Sequence, residues 1–159
     1  MLFRSLGTAI RVGDYNTVNL SGCLFYDNQA MDNNGNHLGI VWASREYNLN
    51  IDQCTFYDNG GEGSIAIRDD NTTGSNKYIN VTNSIFYSDI IDAEAADELS
   101  VTYSLIYDIE GTGNFYNDPL FCDADSADFT LHDNSPCVGS GEEGANIGEI
   151  GRASARGRG

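Results

Sequence analysis

Tyrosine followed by an acidic or hydroxyl residue recurs four times: Tyr26-Asp27, Tyr57-Asp58, Tyr87-Ser88 and Tyr107-Asp108. Aromatic rings in a row offer flat apolar surfaces, the shape on which sugar rings stack. Carboxylates beside them are hard oxygen ligands, so Asp27 and Asp58 are candidate calcium ligands. Two unscreened carboxylates at the spacing of adjacent strands repel by about 1 kcal/mol even in bulk-water dielectric, and a bound cation would relieve this. The chain contains no EF-hand loop and no Gly-Gly-x-Gly-x-Asp repeat, so solvated turn aspartates are the favoured account of these residues. His37 and His132 have no nucleophile motif beside them.

The tyrosines sit in a repeat. Four segments align without gaps, Val18–Asn28, Leu49–Asn59, Ile79–Asp89 and Leu99–Ile109, with periods of 31, 30 and 20 residues. Each reads apolar, polar, apolar, two turn residues, Cys or Ser, a variable position, an aromatic or Ile, then Tyr. This is two short alternating strands around a tight bend. A third strand precedes each copy, at 9–12, 39–43, 64–68 and 89–92.

Three strands per period, with loops tolerated between them, describe one coil of a parallel β-solenoid. The predicted fold is therefore all-β, a right-handed parallel β-helix of about four coils, the hand following from the bias of parallel crossovers. A β-sandwich also has short strands, but gives no reason for one motif to recur with one face assignment.

Alternation places Val18, Leu20, Phe25, Leu49, Ile51, Phe56, Ile79, Val81, Phe86, Leu99, Val101 and Ile106 inside. Tyr26, Tyr57, Tyr87 and Tyr107 then face outward as a column of one ring per coil, the candidate ligand-binding residues. Left open, that strip suits an extended glycan. Folded under following loops such as 29–37, it is half-buried structure, a setting in which amphipathic tyrosine is at home.

Composition narrows the function. A chain of 159 residues fits one domain with a real core. Its net charge is −16, with a pI near 4.1. Only Arg11, Arg45, Arg68 and Lys77 are basic within the body. Nucleic acid, which needs phosphates neutralised, and anionic membrane surfaces are poor partners. No apolar run reaches the length of a membrane-spanning helix. The start lacks a signal-peptide h-region, and with the repeat already running near residue 9, residues 1–8 read as a truncated lead-in. Coils follow over 9–109, a C-terminal cap segment over 110–151 and a disordered basic tail over 152–159.

The repeat motif resembles that of bacterial right-handed β-helix proteins, among them the pectate lyases. There the bend position held here by Cys23, Cys54, Ser84 and Ser104 is often Asn, stacked in a ladder; small side chains replace it in this chain. A second stretch, Asn117-DPLFCDADSADFTLHDNSPCVGSG with Asn146-IGEIG, resembles the closing segment of secreted bacterial β-helix proteins. That resemblance implies a secreted or cell-surface location and a cap that hides edge strands.

Lyases of this fold pair a basic residue with calcium-binding carboxylates, and Arg68-Asp69-Asp70 is the compact cluster of that type. For an exported chain, Cys122 and Cys137, 15 residues apart in the cap, are expected to form a disulfide contributing about 3 kcal/mol. Cys23 and Cys54 are expected to be small stacked residues, and without a CxxC pair a four-Cys zinc site is not expected.

The expected function is a non-catalytic extracellular module contacting a polysaccharide or surface glycan, monomeric in isolation and without a cofactor unless calcium binds. The alternatives are a fragment of a polysaccharide lyase or glycoside hydrolase, and a structural spacer.

Overall fold

In a β-strand successive side chains point to opposite faces, so each apolar-polar-apolar triplet here must lay one face on a core. The computed structural model describes residues 8–13, 15–30, 34, 38–60, 64–69 and 72–148, with the backbone alone of Leu2–Phe3. Asp70, His37 and the 152–159 tail lie outside the described residues, as does nearly all of the 1–8 lead-in. The strands are β1 (Leu2–Phe3), β2 (Ile10–Gly13), β3 (Asn16–Ser21), β4 (Leu24–Tyr26), β5 (Val41–Ser44), β6 (Tyr47–Asp52) and β7 (Thr55–Tyr57). They continue with β8 (Ser64–Asp69), β9 (Lys77–Thr82), β10 (Ile85–Tyr87), β11 (Asp89–Asp92), β12 (Glu98–Thr102), β13 (Phe121–Asp123) and β14 (Asp128–Leu131).

The fold is all-β, with parallel strands in stacked sheets. Three four-stranded sheets have the orders β1-β4-β7-β10, β11-β8-β5-β2 and β12-β9-β6-β3, so each strand pairs with the strand three places away. The chain therefore visits the three sheets in rotation. The register agrees with the repeat alignment: Leu49 pairs with Val18 and Ile79, and Phe56 with Phe25 and Phe86.

Between the sheets, Phe25, Phe56 and Phe86 stack with centroids 4.5 and 4.7 Å apart and planes within 8° of parallel. Leu49, Ile51, Ile79 and Val81 are buried beside them. Leu99 departs from expectation, being 38% exposed although in register with buried Ile79. It lies on β12, the last strand of its sheet, where no further strand covers it.

Two polar ladders hold the bends. At the first bend the Cys23, Cys54, Ser84 and Ser104 side chains each donate to the carbonyl two residues earlier, with Oγ···O distances of 2.8 Å for both serines. The Cys54 and Ser84 backbone N–H groups donate to the Ser84 and Ser104 hydroxyls, and the Ser104 N–H to Asn114 Oδ1. Small side chains thus line this bend.

An amide ladder nevertheless exists at the next bend. Asn28 donates from N and Nδ2 to Asn59 Oδ1, and Asn59 donates from N and Nδ2 to the Asp89 carboxylate at 3.0 and 2.7 Å. Ser64 Oγ also donates to Asp89. This ladder runs through the motif's last position, one residue after the outward-facing aspartates.

Burial pushes the Asp89 carboxyl up to about 6 from an ordinary 3.8, against the lowering effect of the Ser64 and Asn59 hydrogen bonds. A raised folded-state value means the native state holds this proton more tightly than the unfolded chain. The group's contribution is thus fully favourable below about pH 4 and lost as pH rises through 6, a swing of about 3 kcal/mol. Asp89→Asn should remove that part of the pH dependence. Urea denaturation at pH 4.5 and pH 7 checks this, and equal pH slopes for parent and variant would refute it.

Candidate functional site

Each β4, β7 and β10 triplet places its middle residue in the core, so its first and third face outward. The first residues are Leu24, Thr55 and Ile85, with Leu105 following in a parallel bridge to Ile85, and all four are buried. Outward yet buried side chains need a second layer, and the chain after Tyr107 supplies it. Residues 112–115 pair with the last edge, through Tyr103 N to Thr112 O, Phe115 N to Ser104 O and Ile106 N to Phe115 O. Beyond them, Leu131, Cys137 and Ile147 close over Ile85 and Leu105 as a separate apolar cluster.

Asn83 fastens this layer. Its Oδ1 accepts from Glu142 N at 2.7 Å and its backbone O from Gly148 N at 2.6 Å. Gly148 has φ +86°, and a Cβ there would lie 2.5 Å from Ile85 Cδ1, so both conformation and space demand glycine.

The tyrosine column lies under the same layer, at its margin. Phe129 packs on Tyr26 and Tyr57 at 5.1 and 5.2 Å, and Phe121 meets Tyr57 edge-on at 5.5 Å. Tyr57 and Tyr87 are parallel at 5.9 Å, and Tyr116 continues the stack from Tyr87 towards Tyr107. Tyr26, Tyr57 and Tyr87 are half-buried, whereas Tyr107 is 63% exposed. Among the described residues the covering thus comes from the C-terminal segment and not from the loops that follow each motif. The apolar character of positions 24, 85 and 105 was the available signal.

Among the described residues an opening remains at this margin. A cleft of about 420 Å³ is lined by Tyr26, Asp27, Tyr57, Asp58 and Phe129, with the Ala124–Ala127 turn opposite carrying Asp125. Asp27 and Asp58 adopt φ of +52° and +46°, as Ser88 and Asp108 do at +67° and +57°. Asp and Asn tolerate this left-handed conformation better than most residues, which explains their recurrence without a metal. Among the described residues no group of three His, Cys, Asp or Glu side chains comes together as a metal site. Burial first, then the Asp58 and Asp125 charges, raises the Tyr57 phenol above its ordinary value, so the ring is a neutral hydroxyl donor at neutral pH.

The other candidates separate. Arg68 and Asp69 are neighbours on β8 and therefore face opposite ways. Arg68 points outward, with Nε 4.0 Å from Asp92 Oδ2, while Asp69 is buried with its Oδ2 3.7 Å from Lys77 Nζ and 2.7 Å from the donating Tyr47 hydroxyl. The pair does not converge on one site.

All four cysteines are free thiols, which corrects the expected Cys122–Cys137 bridge. Cys122 sits between Phe121 and Asp123 on β13 and is exposed, whereas Cys137 is buried in the second cluster. Strand alternation turns the Cys122 thiol to solvent while its neighbour Phe121 packs inward. Burial also pushes Cys54 up to about 12 and Cys137 up to about 11, so both are unreactive thiols at neutral pH.

No helix of the described residues is long and apolar enough to cross a membrane. No protein-family model, no curated protein and no solved structure matches the chain.

Proposed function

We propose that this chain is a right-handed parallel β-helix serving as a non-catalytic extracellular or cell-surface module, and that it contacts glycans at the cleft beside Tyr26 and Tyr57. Short parallel strands visiting three sheets in rotation support the β-helix, and the hand follows from the preference of parallel crossovers. One observation carries the ligand class: two tyrosines stand with Asp27, Asp58 and Asp125 around a single cleft. Aromatic faces take the apolar side of a sugar ring, and carboxylates accept its hydroxyls in charge-assisted hydrogen bonds. A net charge of −16 repels uronate and sulfate polymers, so the ligands are neutral or amino-bearing glycans.

Calorimetry with soluble neutral polysaccharides and with chitosan oligomers tests this. The parent should bind at least one, and Asp58→Asn with Asp125→Asn should weaken it by tenfold or more, since hydrogen bonds to charged groups are worth about 1.5–3 kcal/mol. Asparagine tolerates the left-handed turn at 58, so the fold is kept. Unchanged binding in the double variant would overturn the cleft as the site.

A structural spacer is the second reading. It is favoured by Phe121 and Phe129, which pack on the tyrosine column as core residues pack.

A further inference from the structure

The three sheets differ in what lies outside them. On the β12-β9-β6-β3 sheet every outward side chain is exposed or half-buried. Its central column is Asn19, Asn50 and Asn80, paired in register. Asn50 Nδ2 donates to Asn19 Oδ1 at 2.8 Å, and Asn80 Nδ2 donates to Asn50 Oδ1 at 3.0 Å. Each of these bonds uses one amide proton and one lone pair. Asn80 Nδ2 also donates to Asn48 Oδ1 at 3.4 Å; an amide carries two protons and two lone pairs, so the ladder leaves spare donors at Asn19 and Asn50 and acceptor capacity at every rung.

Beside this ladder lies a depression of about 310 Å³, lined in part by Tyr15, Tyr78, Asn48, Asn76 and Glu46. Two exposed rings flank it, Tyr15 at 79% and Tyr78 at 38%. Tyr15 is unfavourable there on two counts. Its φ is +68°, a conformation that bulky residues rarely adopt, and its ring gains almost nothing from packing. The backbone holds it regardless, through Tyr15 N donating to Glu46 O at 2.8 Å. At the corresponding turn two coils on, before β9, the residue is Asn76 at φ +62°, a type suited to that geometry. In the intervening coil Arg45 takes the same conformation at φ +66°, so the turn recurs with bulky residues; asparagine is the type that suits it, and an aromatic that is both strained and 79% exposed motivates a contact with something else.

We infer that this face is a second ligand surface, distinct from the Tyr26–Tyr57 cleft, which takes a strand of neutral, hydroxyl-rich polysaccharide. The rings of Tyr15 and Tyr78 stack on sugar units in the depression. The Asn19-Asn50-Asn80 ladder hydrogen-bonds the hydroxyls of the continuing chain, one rung per coil at about the 4.8 Å strand spacing. Among the described residues that line the depression Glu46 is the sole carboxylate and there is no Lys or Arg, so none of them attracts an anionic polymer. The proposal shares only its ligand class with the cleft reading, and different residues carry each.

Affinity gel electrophoresis separates the two. The probes are soluble β-glucan, galactomannan and xylan, with polygalacturonate as the acidic control. The parent should be retarded by at least one neutral polymer and not by polygalacturonate. Tyr15→Ala with Tyr78→Ala should reduce affinity at least tenfold, roughly the loss expected for removing a stacked ring. Tyr78→Phe, which keeps the ring, should bind as the parent does.

Tyr15→Asn should raise the Tm while weakening binding, because it relieves the left-handed strain and deletes the ring; a variant that had simply failed to fold would lower the Tm. Full retardation of the Tyr15, Tyr78 double variant overturns this surface, as does a parent that no neutral polymer retards. If the Asp58, Asp125 double variant alone loses binding, the cleft stands and this face falls. If only the tyrosine variants lose it, the reverse holds.

Discussion

Replacing Phe56 by alanine is expected to destabilise the protein by about 3–5 kcal/mol. The ring has no exposed surface and lies between two others, 4.5 Å from Phe25 and 4.7 Å from Phe86. Its loss removes both stacking contacts and leaves a void the size of a ring. Neighbouring strands cannot collapse into that void, because β7 is hydrogen-bonded to β4 on one side and β10 on the other. Urea denaturation of the variant measures the loss. A loss below about 1 kcal/mol at position 56 would contradict the packing argument.

Breaking the interior ion pair should be similarly costly. Lys77 and Asp69 are 2% and 0% exposed at their side chains, and the ammonium also donates to Ala95 O at 2.9 Å. Tyr47, in register with Lys77, donates its hydroxyl to the same carboxylate; burial, with that hydrogen bond next, holds its phenol well above the ordinary range. Lys77→Met leaves the Asp69 charge buried without its cation, a change that costs about 3–5 kcal/mol in other proteins. Adding Asp69→Asn removes the stranded charge while keeping an acceptor for Tyr47, so the double variant should recover most of the loss. Thermal denaturation of the single and double variants checks the order. A double variant no more stable than Lys77→Met would show that the cost lies in packing around the lysine stem and not in the charge.

Strand positions, sheet register and the phenylalanine stack were legible in the sequence, because alternation is a local consequence of backbone geometry and the motif recurs with the same parity. Even Lys77 was legible in part, since it shares the parity of Ile79 and Val81; an inward position for a lysine calls for a buried partner. That the partner is Asp69 was not legible, because β8 and β9 belong to different sheets and meet only when the chain is folded.

The amide ladder through Asn28, Asn59 and Asp89 was written in the motif's final column. Its burial depends on successive repeats packing closely enough to exclude water from those amides. The outward face of β4, β7 and β10 shows the same division. Apolar residues at 24, 85 and 105 announced a covering layer, yet only the folded chain shows that Leu131, Cys137 and Ile147 close over 85 and 105, while Phe121 and Phe129 pack on the tyrosines and leave the Tyr26–Tyr57 cleft at the edge.

By itself, then, the sequence determined the all-β class, the three-strand period and which side of each strand is apolar, all consequences of interactions within a few residues. Tertiary structure alone decided which outward face is covered, which charges neutralise each other inside, and that Cys122 and Cys137 stay apart. These outcomes depend on segments far apart in the chain meeting in space, and no local pattern encodes where they meet.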